Sequence, residues 1–271
     1  MNRTPQVSVI IPTYNEEENI IRCLSSIKKQ KYSGKVEIIV VDNYSTDDTV
    51  KLAKRFTSKL LLVGKERSRQ RNAGAKAAAG SWLLFVDADM ELSKGVLREC
   101  VELTKNHPVT PAIIINEKSV GHSFWGRVFA LERNCYQDAS WLQAARFFQT
   151  KSFLKLGGYD QRLFAGEDWD ITQRFKQEGF PLLITNKSYL IHHESSLSLI
   201  DSYRKEIYYI KNIHRYAKKQ PLAFSYQGSY LYRILTWARS WEELLRHPLL
   251  TTTFICYKFT VWLLWVMKKK V

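Results

Sequence analysis

Two aspartates, Asp87 and Asp89, stand one residue apart at the end of the apolar run Trp82–Val86, in WLLFVDADMEL. Acids are among the residues least often buried without a partner. Either a turn carries this pair out to water, or the pair holds something positive. Ala88 between them is small and lets both side chains turn toward one site. Two hard carboxylate oxygens suit Mg2+ or Mn2+, ions that also accept phosphate oxygens from a substrate. A solvated turn, or an N-cap for SKGVLREC, accounts for the same residues. A second acidic set, Glu167, Asp168 and Asp170, opens the segment EDWDITQRFKQEG. Acids that stabilise a helix N-terminus account for that set, but not for the GGYD that precedes it.

The elements that must hold these groups follow from periodicity. VSVIIP, VEIIVVD, KLLLV and WLLFVDAD read as buried strands. Between them lie EENIIRCLSSIKKQ, with Ile20, Ile21, Leu24 and Ile27 at helical spacing, TVKLAKRF, and the Ala-rich SRQRNAGAKAAAG. Ser45 in STDD is placed to cap the second of these helices. Continuous apolar strands alternating with amphipathic helices predict a parallel sheet covered on both faces. Further on, AIIIN, AARFFQ and PLLITN read as strands. SFWGRVFALERNCYQ, FLKLGGYD and EDWDITQRFKQEG read as helices, the last stopped at Gly179. In open parallel sheets ligands bind outside the carboxyl ends of the strands. Here those ends carry PTYNEE, DNYSTDD and DADM.

The 271 residues suffice for one large domain or a domain plus an appendage. Apolar residues at 45% and charged residues at 25% make a globular composition, not a disordered one. The net charge of +15 calls for an anionic partner: nucleic acid, a phosphorylated substrate or an anionic membrane surface. Cys23, Cys100, Cys135 and Cys256 are scattered without CxxC spacing. That excludes a zinc ribbon or disulfide framework and fits a reducing compartment. No secretory signal is expected from MNRTPQVSVIIP.

Four segments carry a resemblance: VSVIIPTYNEEENI, VEIIVVDNYSTDDTV, RNAGAKAAAGSWLLFVDADMEL and GGYDQRLFAGEDWDITQRFKQEG. In order and approximate spacing they resemble glycosyltransferase family 2, inverting enzymes of the GT-A fold that use nucleotide-sugar donors. The resemblance covers roughly Val7 to His192. It implies an α/β fold with a Rossmann-like, mostly parallel sheet flanked by helices. It places Pro12, Tyr14, Glu16 and Asp42 around the nucleotide base and Arg71 and Asn72 against the nucleotide. Gly74 would allow close helix packing. Asp87 would meet the ribose or the metal shell, and Asp89 would hold the Mn2+ or Mg2+ that bridges the donor phosphates. Asp168 would be the general base, with Glu167, beside the donor, and Asp170 as further candidates. A histidine after the last core strand completes the metal site in related enzymes; His192 is preferred to His193. Arg146 and Arg174 either meet phosphates or acceptor, or form surface ion pairs.

The resemblance also implies chemistry. A sugar hydroxyl is a poor nucleophile and needs its proton removed as it attacks. The departing nucleoside diphosphate, UDP in most of the family, needs its growing charge neutralised. The absence of a QxxRW motif points to transfer of a single sugar, not polymer synthesis. No GxGxxG follows the first strand, which argues against a dehydrogenase. PTYNEE is no Gly-rich loop of a nucleotidyltransferase.

Residues 1–198 are expected to form the catalytic domain and 199–271 a helical, membrane-associating region. That region holds 13 Lys/Arg against 4 Asp/Glu, with many aromatics. Leu249 to Met267 nears the length of a spanning helix. Lys258 at its centre favours an interfacial helix, with tryptophans at headgroup depth and lysines facing phosphates. A helix packed on the domain is the alternative. The segment from His192 to Pro221 resembles extensions of family members that build lipid-linked glycans. The expected partners are therefore a nucleotide-sugar donor, a lipid-linked or glycan acceptor and the anionic cytoplasmic face of the cell membrane. Nucleic acid is not expected. A bare polyprenyl-phosphate acceptor, already anionic, would need no base. A non-catalytic nucleotide-sugar-binding scaffold is the remaining alternative.

Overall fold

The computed structural model of the chain describes residues 6–137, 139–194 and 198–269. Along the chain run β1 (Val7–Thr13), α1 (Ile20–Lys28), β2 (Val36–Asp42), α2 (Thr49–Ala53) and β3 (Leu60–Leu62). Then come α3 (Arg67–Ala77), β4 (Trp82–Phe85), β5 (Met90–Leu92), α4 (Val96–Asn106) and β6 (Ala112–Val120). They are followed by α5 (Phe124–Asn134), β7 (Ala145–Gln149), α6 (Thr150–Lys155), α7 (Glu167–Gln177) and β8 (Leu183–His193). The remainder is helical: α8 (Leu199–Asn212), α9 (His214–Lys219), α10 (Pro221–Gln227), α11 (Tyr230–Arg239), α12 (Trp241–Arg246) and α13 (Pro248–Lys269).

The sheet has eight strands in the order β3-β2-β1-β4-β7-β6-β8-β5. The pairs β1–β2, β1–β4 and β2–β3 are parallel, as the alternation of strands and helices predicts. β7 joins β4 and β6 antiparallel. Successive side chains point to opposite faces, so each buried strand feeds two cores. Val9, Ile11, Val40 and Leu84 pack with Leu24 of α1 and Leu97 of α4. Ile10, Val41, Leu83 and Phe85 pack with Ala75 of α3, Phe153 of α6 and Ile171 of α7. Both faces are thus covered. The register pairs Thr13 with Asp42 and Asp42 with Leu62, which brings the polar strand ends to one edge.

By contact the chain divides into two units, 1–116 with 144–191, and 117–143 with 192–271. The second is helical, with a core of Val128, Phe129 and Leu131 from α5, Trp237 from α11, and Phe254 and Tyr257 from α13.

Three local expectations are corrected. Ser45 does not cap α2, which starts at Thr49 after Asp48. Its hydroxyl instead donates to Asp42 (2.6 Å), because a buried carboxylate at a strand end demands donors. α1 begins at Ile20, not at Glu17. The Glu17 N–H donates to Asp47 and its carboxylate accepts from the Asp48 N–H, which bridges two loops instead of extending a helix. Lys258 does not project from the helix toward phosphates. It is inside the second unit, 2.9 Å from Glu206 and 3.2 Å from Glu132. A cation in an apolar helix is tolerated there because two acids meet it. Lys268, Lys269 and Lys270 lie outside the described side chains.

Candidate active site

The first loop after β1 is held open by its neighbours. Asn15 has φ +53° and Tyr44 φ +54°, left-handed conformations uncommon for residues other than glycine. Asn15 accepts from the Thr46 N–H (2.9 Å), and the Ser45 hydroxyl accepts from the Asn15 N–H (2.8 Å). The loops after β1 and β2 are thereby zipped together. Pro12 is buried in β1, while Tyr14 and Tyr44 are left exposed at the sheet edge. Asp42 is fully buried, and its oxygens accept from Thr13, the Ser45 hydroxyl and the Ser45 N–H. Its carboxylate is spent on shaping this edge.

α3 brings Arg71 beneath the loops. Gly74 makes this possible: a Cβ there would lie 2.5 Å from Ile10 in β1. Gln70, on the same helix, donates to the carbonyls of Thr13 (3.0 Å) and Val41 (2.7 Å), which fastens α3 to two strand ends. Arg71 then reaches two acids, one just after β4 and one at the start of α7. One guanidinium nitrogen is 2.6 Å from Asp87 and another 3.1 Å from Glu167. The same guanidinium lies over the Tyr159 ring, 5.2 Å from its centroid. Arg146, on β7, takes the other Asp87 oxygen at 3.2 Å. Burial opposes the charged form of Asp87, but Arg71, Arg146 and Arg67 outweigh it and hold the carboxyl far below its usual range.

Glu16 goes the other way. Burial, with the like charges of Asp89, Asp87 and Asp47, pushes its carboxyl up to about 7, against a lowering hydrogen bond from Asn19. Four carboxylates, Glu16, Asp47, Asp87 and Asp89, repel one another here, and a divalent cation would relieve that repulsion. Among the described residues, no three His, Cys, Asp or Glu gather as a complete metal site. A metal bound here would therefore need ligands from outside the protein as well.

Asn72 faces inward. Its amide donates to the Tyr159 carbonyl (2.8 Å) and accepts from the Tyr159 N–H (2.9 Å), so it fixes the GGYD turn. Gly158 in that turn has φ +68°, and a Cβ would press on Asn72. α7 follows. Glu167 is buried on Arg71, and Asp168 is half-buried beside it and accepts from the Trp169 N–H. Asp170 is fully buried and paired with Arg174 at 2.9 Å. Arg174 also donates to the carbonyls of Leu156 and Gly158, which ties α7 to the turn before it. Of the two arginines, Arg146 joins the acidic cluster and Arg174 does not.

His192 belongs to the second unit. Its Nδ1 is 2.8 Å from Glu194, and Arg133 lies 3.3 Å and 3.4 Å from its ring nitrogens. His193 has its ring 6.4 Å from that of His122. Gln70, Tyr159, Arg133 and Glu194 were given no role in the sequence reading. Tyr159 stands in GGYD, and Glu194 in the segment from His192 to Pro221, and that is the one signal that could have found them.

The family model for Glycosyl transferase family 2 matches residues 8–157, more than half of the chain. Among curated relatives, the poly(ribitol-phosphate) beta-N-acetylglucosaminyltransferase TarS of Staphylococcus aureus is 33% identical over 121 residues. That is 42% of this chain and 21% of TarS, so the chain spans about a fifth of that relative's length. A PGL/p-HBAD biosynthesis glycosyltransferase of Mycobacterium tuberculosis is 29% identical over 196 residues, 69% of this chain and 75% of the relative. Among solved structures, the mannosyltransferase PcManGT of Pyrobaculum calidifontis, in complex with GDP-Man and Mn2+, matches with a TM-score of 0.61 at 18% identity. The match covers 94% of this chain and 74% of that one. TarS in complex with UDP-GlcNAc matches at 0.55 and 19%, over 83% and 76% of the two chains. At these identities the likeness is one of fold, the GT-A fold.

Proposed function

Because this chain belongs to glycosyl transferase family 2, we propose that it is an inverting, metal-dependent glycosyltransferase. It moves one sugar from a nucleotide-diphosphate donor, a UDP-sugar, to the hydroxyl of a polyprenyl-diphosphate-linked glycan. One observation carries the reading. Arg71 of the RNAG segment binds Asp87 of DAD and Glu167 of the EDWD helix, so three separated motifs converge at the carboxyl edge of one sheet. The ligands bound in the two solved relatives, UDP-GlcNAc and GDP-Man, support a nucleotide-sugar donor.

In this reading Tyr14 and the loop after β1 receive the base, and Asp42 keeps that loop in shape. Asp87, locked by Arg71 and Arg146, meets the ribose side. Asp89 holds the divalent ion. A bound cation, Mn2+ or Mg2+, supplies charge neutralisation to the departing diphosphate. Asp168 accepts the proton of the attacking hydroxyl, while Glu167 keeps Arg71 in register. Attack from the face opposite the leaving group inverts the anomeric centre.

The proposed location is the cytoplasmic face of the cell membrane. α13 is apolar enough over Pro248–Met267 to cross a bilayer, with mean hydropathy 1.5. Its Phe254, Tyr257 and Lys258 face the second unit's interior, and Ile255, Phe259, Leu263 and Met267 form an exposed stripe. One committed face and one apolar face fit a helix lying on the surface better than one spanning it. The basic excess of residues 201–271 then meets anionic headgroups.

The test is donor binding across UDP-, GDP- and dTDP-sugars, with and without Mn2+, on wild type and Asp89→Ala. Metal-dependent binding of one donor, lost in the variant, is expected. A variant that binds donor as wild type does removes Asp89 from the metal. Asp168→Asn is expected to lower kcat by about 10²–10⁴ with donor affinity unchanged. Near-full transfer by that variant would instead indicate a phosphate acceptor.

A further inference from the structure

Among the described residues, three that are not glycine hold a positive φ: Asn15, Tyr44 and Glu66, at +53°, +54° and +88°. Each lies in the loop that leaves the carboxyl end of a parallel strand, β1, β2 or β3. Strained backbone gathers at ligand sites, where the surroundings force it. Asn15 is of a type that tolerates this region, and Glu66 turns the chain into α3, its carbonyl accepting from the Arg69 and Gln70 N–H groups. Tyr44 is the bulky case, a true outlier. Its turn is fixed from both sides. Asp42 accepts from the Ser45 N–H at 2.7 Å and from the Ser45 hydroxyl at 2.6 Å, and the Asn43 N–H donates to the Thr13 carbonyl at 2.9 Å. Glycine adopts such a φ without strain, so the side chain at 44 needs a reason of its own.

Packing does not supply that reason. Tyr44 is 61% exposed, so burial offsets little of the strain. Its Cε2 leans toward Gly64 in the loop after β3, where a Cβ would meet it at 3.7 Å, an ordinary contact. The ring thus reaches from one loop to the next and keeps most of its surface in water. Its place in the sheet says what would cover it. β4, which leads into the acid pair Asp87 and Asp89, lies one strand from β1 and two from β2. Neighbouring strands are about 4.8 Å apart, so the β2 loop begins roughly 10 Å from those acids. A ribose and two phosphates bridge a gap of that scale, with the diphosphate at the acids and the base at the β1 and β2 loops. Tyr14, also exposed, stands in the first of these loops. A nucleobase stacks on an aromatic face whatever its hydrogen-bonding edge.

We propose that Tyr44 is a stacking platform for the nucleobase of the donor, presented to it by a left-handed backbone. The assignment rests on the nucleotide-sugar reading and adds to it a base contact from the β2 loop beside that of Tyr14. The strain lowers the stability of the free chain, and the bound base offsets it.

The experiment titrates the full chain with UDP, GDP, dTDP and their sugars in the presence of Mn2+, read by calorimetry, on wild type, Tyr44→Phe and Tyr44→Gly. Inorganic diphosphate serves as the probe that lacks a base. The nucleoside diphosphate that wild type binds tightest should weaken at least fivefold in Tyr44→Gly and stay within twofold in Tyr44→Phe. Diphosphate should bind all three alike. The Tm of Tyr44→Gly should not fall below that of wild type, because glycine relieves the strain. A ring that only props the turn gives the opposite pattern, a lowered Tm with diphosphate weakened in step. The proposal falls if Tyr44→Gly keeps wild-type nucleotide affinity, if its diphosphate affinity drops in step, or if its Tm drops; wild-type donor binding would leave the glycosyltransferase reading intact in each case. If wild type binds no nucleotide at all, both fall. Tyr44-dependent binding of a nucleoside diphosphate without binding of any nucleotide sugar would overturn the glycosyltransferase reading and leave the base platform standing.

Discussion

Each unit buries one cation between two acids, and the two arrangements differ in what surrounds them. Arg71 is 3% exposed, between Asp87 and Glu167. Lys258 is 16% exposed, between Glu132 and Glu206. Around Arg71 the acids come from a strand end and a helix start at the open edge of a sheet. Asp87 there keeps 22% of its side chain accessible, so the cluster has a side that a ligand can meet. Around Lys258 both acids come from helices, α5 and α8, and the triad joins them to α13. A buried charge is costly unless paired. The same solution therefore builds a site in one unit and a helix joint in the other. The ring contact does not separate the two: Arg71 lies over Tyr159 at 5.2 Å and Lys258 over Tyr257 at 5.5 Å from the ring centroids.

The sharpest way to break the comparison is to remove each cation. Lys258→Ala strands Glu132 and Glu206 and should destabilise by about 3–5 kcal/mol; Arg71→Ala leaves Asp87 with Arg146 and Glu167 with Arg67 at 3.8 Å and should cost less. Donor binding should separate them. Arg71→Ala is expected to lose it altogether, and Lys258→Ala to retain it in whatever fraction stays folded. Urea unfolding paired with donor titration reads both. Loss of donor binding in folded Lys258→Ala would mean that the second triad is more than a joint.

A milder contrast uses glycines. A Cβ on Gly74 would sit 2.5 Å from Ile10 and 3.1 Å from Val41, both locked in the sheet core. On Gly228 it would meet the Phe224 ring at 2.8 Å, the far end of a half-buried side chain that can turn away. Gly74→Ala should cost about 1–3 kcal/mol through overpacking. Gly228→Ala should cost under about 1 kcal/mol, since reduced freedom of the unfolded chain offsets part of the strain. Thermal unfolding of the two variants side by side checks the order.

The two triads were unequally legible. The first unit's strands could be read because apolar runs and helical spacing are local signals. Asp87 and Asp89 were found because they directly follow an apolar strand, while Arg71 in α3 and Glu167 at the start of α7 were found through the family resemblance of RNAG and EDWD. The Arg71–Asp87 bond itself was not visible, since it depends on how far α3 tilts over β1, which Gly74 sets. Asn72 was read toward the nucleotide, yet its amide is consumed by Tyr159, a contact across 87 residues. The pairing of Arg174 with Asp170 lies at helical spacing and could have been anticipated. In the second unit a helical region was expected over 199–271, but neither its individual helices nor which helix meets which could be read. Lys258 therefore read as a cation facing lipid, when its partner Glu206 lies 52 residues away.

The smallest expected effect is a pH dependence confined to the second triad. Burial would raise the Glu206 carboxyl, but Lys258 outweighs it and holds the group below its usual value. Burial would lower the Lys258 ammonium, but Glu132 and Glu206 hold it above its usual value. The signs follow from linkage. A depressed carboxyl contributes stability that is present above its unfolded pKa, about 4.3, and is lost as pH falls through the lower folded value. A raised ammonium contributes stability that is present below its unfolded pKa, about 10.4, and is lost as pH rises through the higher folded value. The triad's contribution should be flat between those limits and fall away on both sides, by about 1 kcal/mol on the acid side, where protonated Glu206 still leaves Glu132 on the lysine. Urea midpoints from pH 3 to pH 7 on wild type and Glu206→Gln read it. The variant should be less stable at pH 7, and the two curves should converge toward pH 3. Parallel curves would mean that Lys258 is held by Glu132 alone, and the likeness to Arg71, which needs both its acids, would end there.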